Sequence, residues 1–207
     1  MSDVLFTVIG DLVGSRQVAD RHQVHTALGS ALDGVNRVVA PAQPLEQTVA
    51  DEFQGGYTTL AAAARATLLV RLALLPLVDA RCGIGRGEVT VHDANHQPLL
   101  QDGPGWWAAR AAVEALGTGR AQRRTWFVSP DLQPEPGTVN AFLTCRDQLL
   151  ERLNERGLRI LRLALLGHSQ KEIAEAEHVW PSAVSQQFSR GVGAIVEAHT
   201  MLDRGGT

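Results

Sequence analysis

Lysine is almost absent: of 19 basic residues in this 207-residue chain, Lys171 is the one lysine and the other eighteen are arginine. Any phosphate contact away from that position must come from guanidinium, backbone N–H or a metal ion. Cysteine is equally scarce. Cys82 and Cys145 stand far apart, with no CxxC and no Cys/His cluster, which excludes a disulfide scaffold and a structural zinc site and predicts two buried, inert thiols. A net charge of −3 excludes a strongly basic nucleic-acid coat, and 44% hydrophobic residues exclude wholesale disorder. No long apolar run is present: Val4 to Ile9 is too short and wrongly flanked for a signal peptide or a membrane span, and Ala66 to Val78 is interrupted by Arg71 and Pro76. These absences predict a cytoplasmic protein that stays off the membrane.

Val4 to Ile9 is β-branched and apolar and predicts a buried strand, stopped by Gly10-Asp11. Val24, Ala27, Leu28, Ala31, Leu32 and Val35 recur at helical spacing between about 19 and 39. Leu45 to Val49 and Phe53 to Thr58 predict a hairpin with Ala50-Asp51-Glu52 at its tip, and an Ala/Leu-rich helix follows over 60–77. Gly83, Gly85 and Gly87 alternate inside a strand pattern over 79–91, which marks bulges or the close approach of another backbone. A polar turn over 93–97, a helix from about Trp106 to Leu116 and a strand over Thr125 to Val128 complete this half. The order predicts an α+β fold, a ferredoxin-like (palm-type) antiparallel sheet with helices on one face. Pro130, Pro134 and Pro136 interrupt regular structure, so residues 131–144 are read as a linker between a domain over 1–130 and an all-α domain over 145–207.

In the second domain, Leu158 to Leu166 predicts a helix closed by Gly167, and Ser169 caps a short helix over 170–175. After a turn over 178–181, Pro181 opens a polar helix over 182–190. Ile173, Ala174, Val179, Val184 and Phe188 form its predicted core, leaving the opposite face for a DNA groove. The runs Gly167-His168-Ser169-Gln170-Lys171-Glu172-Ile173-Ala174 and Ser182-Ala183-Val184-Ser185-Gln186 resemble the helix-turn-helix of sigma-factor and response-regulator domains. That resemblance implies double-stranded DNA as a partner, with Ser182, Ser185, Gln186 and Gln187 toward base edges and Ser169, Gln170, Lys171 and Arg190 toward phosphates. Seven basic and seven acidic residues over 151–207 give no net basic footprint, so a protein-binding helical bundle is the rival reading.

In the first domain, a carboxylate at the end of one strand and another at a hairpin tip become neighbours if the hairpin's second strand pairs with the first. Asp11, Asp51, Glu52 and the Leu12 carbonyl would then offer hard oxygen ligands to Mg²⁺ or Mn²⁺, bridging a nucleotide. Gly14, Ser15 and Arg16 suit phosphate through N–H and guanidinium, although Arg16 has Asp20 as a rival partner. His22, His25, His92 and His96 show no ligand spacing and are expected at the surface or in caps. Ile9-Gly10-Asp11-Leu12-Val13-Gly14-Ser15-Arg16, Ala50-Asp51-Glu52-Phe53, Gly83-Ile84-Gly85-Arg86-Gly87-Glu88-Val89 and Gly105-Trp106-Trp107-Ala108-Ala109-Arg110 look like successive motifs of class III nucleotide cyclases and diguanylate cyclases. With Asp102-Gly103-Pro104 and the terminal helix-turn-helix, nearly the whole chain resembles the SatD family.

The cyclase resemblance implies metal-binding aspartates at Asp11 and Asp51, a transition-state arginine at Arg110 as the candidate catalytic residue, and a homodimer. The sequence departs from it at Trp106, where an asparagine is expected, at Gln47, near the base-recognising lysine, and at Val49-Ala50, where paired glycines are expected. Those departures favour a regulator over an enzyme: a DNA-binding transcriptional regulator whose degenerate cyclase-like domain binds a nucleotide, a divalent metal or both. The alternative is an active nucleotidyl cyclase or phosphotransferase localised by its helix-turn-helix. A third reading makes the first domain a dimerisation platform without ligand.

Overall fold

A computed structural model describes residues 3–93, 99–117 and 123–205, and of Arg16 the backbone alone. The first half is strand β1 (Asp3–Val13), helix α1 (Arg21–Val38), strands β2 (Gln43–Gln47) and β3 (Glu52–Tyr57), helix α2 (Leu60–Leu74) and strand β4 (Asp79–Asp93). Strand β5 (Leu100–Asp102), helix α3 (Pro104–Gly117) and strand β6 (Thr125–Val128) follow. The sheet runs β2-β3-β1-β4-β5, antiparallel throughout, and β6 adds to β4 in parallel. The fold is thus α+β with a mostly antiparallel sheet, as expected. The turn expected over 93–97, with His96, lies almost wholly outside the described residues.

Strand β1 does not stop at Gly10-Asp11 but continues to Val13 between two partners, with Asp11 opposite Glu52 on β3 and Arg81 on β4. Gly10 serves packing: a Cβ there would lie 2.3 Å from Phe53 Cζ. Because strand side chains alternate, Val8 and Leu12 enter one core with α1 and α2. Leu5 and Ile9 enter a second core with Val89, Trp106, Ala109 and Val113. The expectation of helices on one face is therefore corrected, since α3 covers the other. Gly83, Gly85 and Gly87 make this possible. At each, a Cβ would fall within 2.6 Å of an α3 backbone atom, and Thr7 Oγ1 donates to Gly105 O at 2.8 Å.

The remaining helices are α4 (Pro136–Leu150), α5 (Glu155–Leu165), α6 (Gln170–Ala176), α7 (Pro181–Gln187) and α8 (Gly193–Gly205), the last two joined by one π turn over Phe188–Val192. Helix α4 starts inside the segment read as a linker, because Pro136 stands where a helix needs no N–H and Glu135 accepts from the N–H groups of Gly137 and Thr138. Asn140 on α4 then pairs with the β6 backbone, accepting from Phe127 N and donating to Phe127 O at 2.8 Å each. Helix α2 is apolar almost all round because it is sandwiched: most of its buried residues belong to one continuous core that reaches from Val8 to Ile160, Val184 and Ile195. Arg65 on α2 donates to Leu165 O at the end of α5. No helix among the described residues is long and apolar enough to cross a membrane.

Cys82 is buried as expected, and burial pushes its thiol up to about 12, so it is inert. Cys145 is exposed, against expectation, because it lies on the outer side of α4. On α8, His199 is 3% exposed, edge-on to Phe142 at 5.4 Å, and neither ring nitrogen has a hydrogen-bond partner. Burial, then the charges of Arg146 and Arg65, pushes its pKa down from 6.5 to about 3. Between those values the unfolded chain binds the extra proton, so folding stability falls as pH falls from 6.5 towards 3. Replacing His199 with leucine removes this contribution. Urea denaturation is expected to show that wild type loses about 1–2 kcal/mol more than His199→Leu between about pH 7.5 and pH 5.

Candidate functional site

The end of the sheet where β1 meets β3 and β4 gathers the charged residues singled out from sequence. Asp11 and Glu52 are cross-strand neighbours on the face that α3 covers. Arg81, on the other side of Asp11, donates from Nε to Oδ1 at 2.6 Å and from Nη2 to Oδ2 at 2.7 Å. Arg110, on α3, donates from Nη1 and Nη2 to the two oxygens of Glu52 at 2.6 and 2.8 Å. Hydrogen bonding to these carboxylates raises the pKa of both guanidinium groups, so both stay charged. Gly14, in the left-handed region at φ 72°, turns the chain into a single 3-10 turn over Ser15–Gln17. That turn delivers Ser15, whose hydroxyl donates to Asp51 Oδ2 at 2.5 Å.

The sequence thus brought together Asp11, Asp51, Glu52, Ser15 and Arg110, and missed Arg81. A register count along β4 from the glycines would have found it, since Arg81 shares their face. Leu12 buries its side chain in the core and lies opposite Ala80 on β4. The Arg16 side chain, with its two suggested partners, lies outside what is described. No group of three His, Cys, Asp or Glu side chains among the described residues is placed to hold a metal ion. All four oxygens of Asp11 and Glu52 face a guanidinium, and the residues as arranged do not fit a divalent ion. Gln47 is also occupied: its Nε2 meets His25 Nδ1 at 2.8 Å and donates to Ala50 O at 2.6 Å, bracing the hairpin. Trp106 is buried beneath α3, whereas Trp107 is exposed and donates to Asp102 Oδ1 at 2.7 Å.

In the carboxyl-terminal part, α6 and α7 are two seven-residue helices separated by four residues. Ile173, Ala174 and Val184 are buried between them and α5, with Val179 and Phe188 half-buried against the same core. Ser169 and Glu172 form a capping box at the start of α6, and Arg159 on α5 pairs with Glu177 after it. Of the residues assigned to DNA, Gln170, Lys171, Ser182, Ser185, Gln186 and Arg190 are exposed, while the Ser169 side chain is engaged in its cap. Gln187 is corrected: it is buried, because its position on α7 turns it toward α5, where its Oε1 lies 2.8 Å from the place of a Gly157 Cβ. Trp180, in the turn expected over 178–181 and given no role there, is 82% exposed before α7. The outward row Ser182, Ser185, Gln186, Ser189 and Arg190 contains no carboxylate.

Fold and site together define an α+β protein with a mostly antiparallel sheet and a helical carboxyl-terminal part packed on it. The chain belongs to the SatD family, whose profile matches residues 5–195. Among curated proteins none matches it. Among solved structures, two of a bacterial light-regulated adenylyl cyclase are similar, at 13% and 14% identity and a TM-score of 0.46. Each match covers 61% of this chain and 44% of the cyclase chain, so the likeness spans less than half of that protein.

Proposed function

We propose that the protein is a DNA-binding transcriptional regulator in which α6 and α7 act as a helix-turn-helix and the sheet half is a non-catalytic, cyclase-like regulatory and dimerising part. The observation that carries this reading is the outward row of α7 and of the π turn after it: hydroxyl, amide and guanidinium groups with no carboxylate. Such a row hydrogen-bonds to base edges and phosphates without repelling either. Lys171 and Gln170 stand exposed at the start of α6, where a backbone contact is needed. The pairing of Asp11 with Arg81 and of Glu52 with Arg110 supports a regulatory over a catalytic role for the sheet end. A nucleotide is the ligand that the resemblance suggests for it, meeting the Gly14-Ser15 turn and Arg110. A homodimer, the state in which cyclase domains work, would present two α7 helices to a repeated half-site.

Selection of duplexes from a random-sequence pool by the full chain tests the reading. One motif is expected to be enriched, with affinity falling linearly as log salt rises. Lys171→Ala is expected to weaken all duplexes alike and lower the salt slope by about one, whereas Gln186→Ala relaxes the preference at one base position at a cost of about 1–3 kcal/mol. Failure to retain any duplex at low salt overturns it.

A further inference from the structure

We propose that the sheet-end carboxylates carry built-in counter-cations: Arg81 and Arg110 take the places of a divalent ion on Asp11 and Glu52, and keep Mg²⁺ and Mn²⁺ out. This inference is independent of whether α7 reads DNA.

Three features of the fold make the pairing a property of the chain rather than of two flexible side chains. Arg81 is directly opposite Asp11 in the β1–β4 register, between Ala80 and Cys82, both fully buried, so its backbone cannot shift along the strand. Arg110 is held by the seating of α3 against Gly83, Gly85 and Gly87, which brings the helix backbone close to the sheet. Both pairs are two-point, guanidinium fork to carboxylate, the geometry in which arginine outperforms a point charge. The third carboxylate, Asp51, is directed by the Ser15 hydroxyl.

The charge balance points the same way. Asp11, Asp51 and Glu52 bring three negative charges, of which the guanidinium groups of Arg81 and Arg110 offset two, and Arg110 also feels the charge of Glu114. A divalent ion entering this cluster would have to displace both forks and then sit beside two cations. Without the forks, the cross-strand pair Asp11 and Glu52 offers four oxygens, ligands of the kind that hard divalent ions accept. A divalent site is therefore latent here and blocked by the chain's own side chains. An anionic ligand that approaches this end meets guanidinium, not metal, and its binding does not depend on Mg²⁺.

Titration of the full chain with Mn²⁺, read from the spin-resonance signal of free Mn²⁺ and by calorimetry, tests this directly. Wild type is expected to leave the free-ion signal unchanged. The double variant Arg81→Gln/Arg110→Gln is expected to bind Mn²⁺ at least about tenfold more tightly than wild type, and adding Asp11→Asn is expected to abolish the gain. Arg110→Gln alone, at a half-exposed position, serves where the double variant melts early, and is expected to show a smaller gain in the same direction. Wild-type Mn²⁺ binding that is lost in Asp11→Asn overturns the proposal. So does a folded double variant that binds no more Mn²⁺ than wild type.

Discussion

Asp147→Ala is expected to lower the unfolding free energy by about 3–5 kcal/mol, the range for removing one partner from a buried charge network. Asp147 on α4 is fully buried and accepts from the backbone N–H groups of Arg124 and Thr125 at 2.8 Å each. It also receives Arg71 at 3.3 Å and Arg146 at 2.9 Å, two arginines that are themselves out of solvent. Removing it strands two backbone donors and leaves the buried Arg146 with the neutral acceptors Ala64 O and Thr125 Oγ1 in place of a carboxylate. Arg71 keeps its bidentate partner Asp79 on β4, at 2.9 and 3.0 Å, which sets the lower end of the range. Asp147→Asn, which keeps an acceptor but no charge, is expected to fall between alanine and wild type in urea denaturation. Asp79 adds a pH signature. Burial alone would raise its pKa, but the hydrogen bonds and charge of Arg71 and then Arg124 outweigh this and hold it below its ordinary 3.8. A carboxylate with a depressed folded pKa stabilises above its unfolded value, and its contribution is lost as pH falls further. The Asp79 share of stability is thus full at neutral pH and is lost only as pH falls below 3.8, at the acid end of the range in which His199 acts.

Gly85→Ala is expected to cost about 3 kcal/mol, at the upper end for overpacking a tight interface. The added Cβ would lie 2.2 Å from Ala109 N and 2.4 Å from Gly105 O. Both atoms are helix backbone, so no rotamer change relieves the clash and α3 must move as a body. Gly29→Ala is the contrasting control: its place on α1 has no heavy atom within 4 Å of a Cβ, and stability is expected to rise by about 0.5–1 kcal/mol. Chemical denaturation of the two variants side by side checks both signs. A second readout follows from the same geometry, because displacing α3 withdraws Arg110 from Glu52. In Gly85→Ala, the protection of Glu52 from carbodiimide labelling is expected to fall before the protein unfolds globally.

What the sequence made legible was mostly local or periodic. Strand alternation, the 3.6-residue spacing in α1 and the glycine row of β4 each state a packing face without knowledge of the partner; the row marks bulges or close backbone approach, and α3 supplies the second of these. The neighbourhood of Asp11 and the Asp51-Glu52 tip followed from one assumption about strand pairing, which the β1–β3 register satisfies. What stayed hidden depends on long-range partners. Arg81 reads as one more polar residue before a glycine strand until its position opposite Asp11 is known. Arg71 and Asp147 are charges on buried helix faces, and the network that joins them to Asp79 and Arg146 explains both. Pro136 reads as chain interruption although the same residue favours the first turn of a helix; the capping by Glu135 that decides between these is a side-chain geometry. Gln187 differs from Gln186 by one step of about 100° around α7, enough to separate a surface residue from the core when the helix orientation is unknown.

The pairing of Asn140 with Phe127 has a consequence for how safely the chain is made. Strand β6 is an outer strand of the sheet, and an unprotected outer strand invites a second chain to add to it. Here one carboxamide supplies the donor and the acceptor that a neighbouring strand would offer. The shield arrives 13 residues late, on a helix that must form and dock first. Until it does, the growing or partly unfolded protein presents a sticky edge, so aggregation during synthesis or refolding depends on how quickly α4 settles.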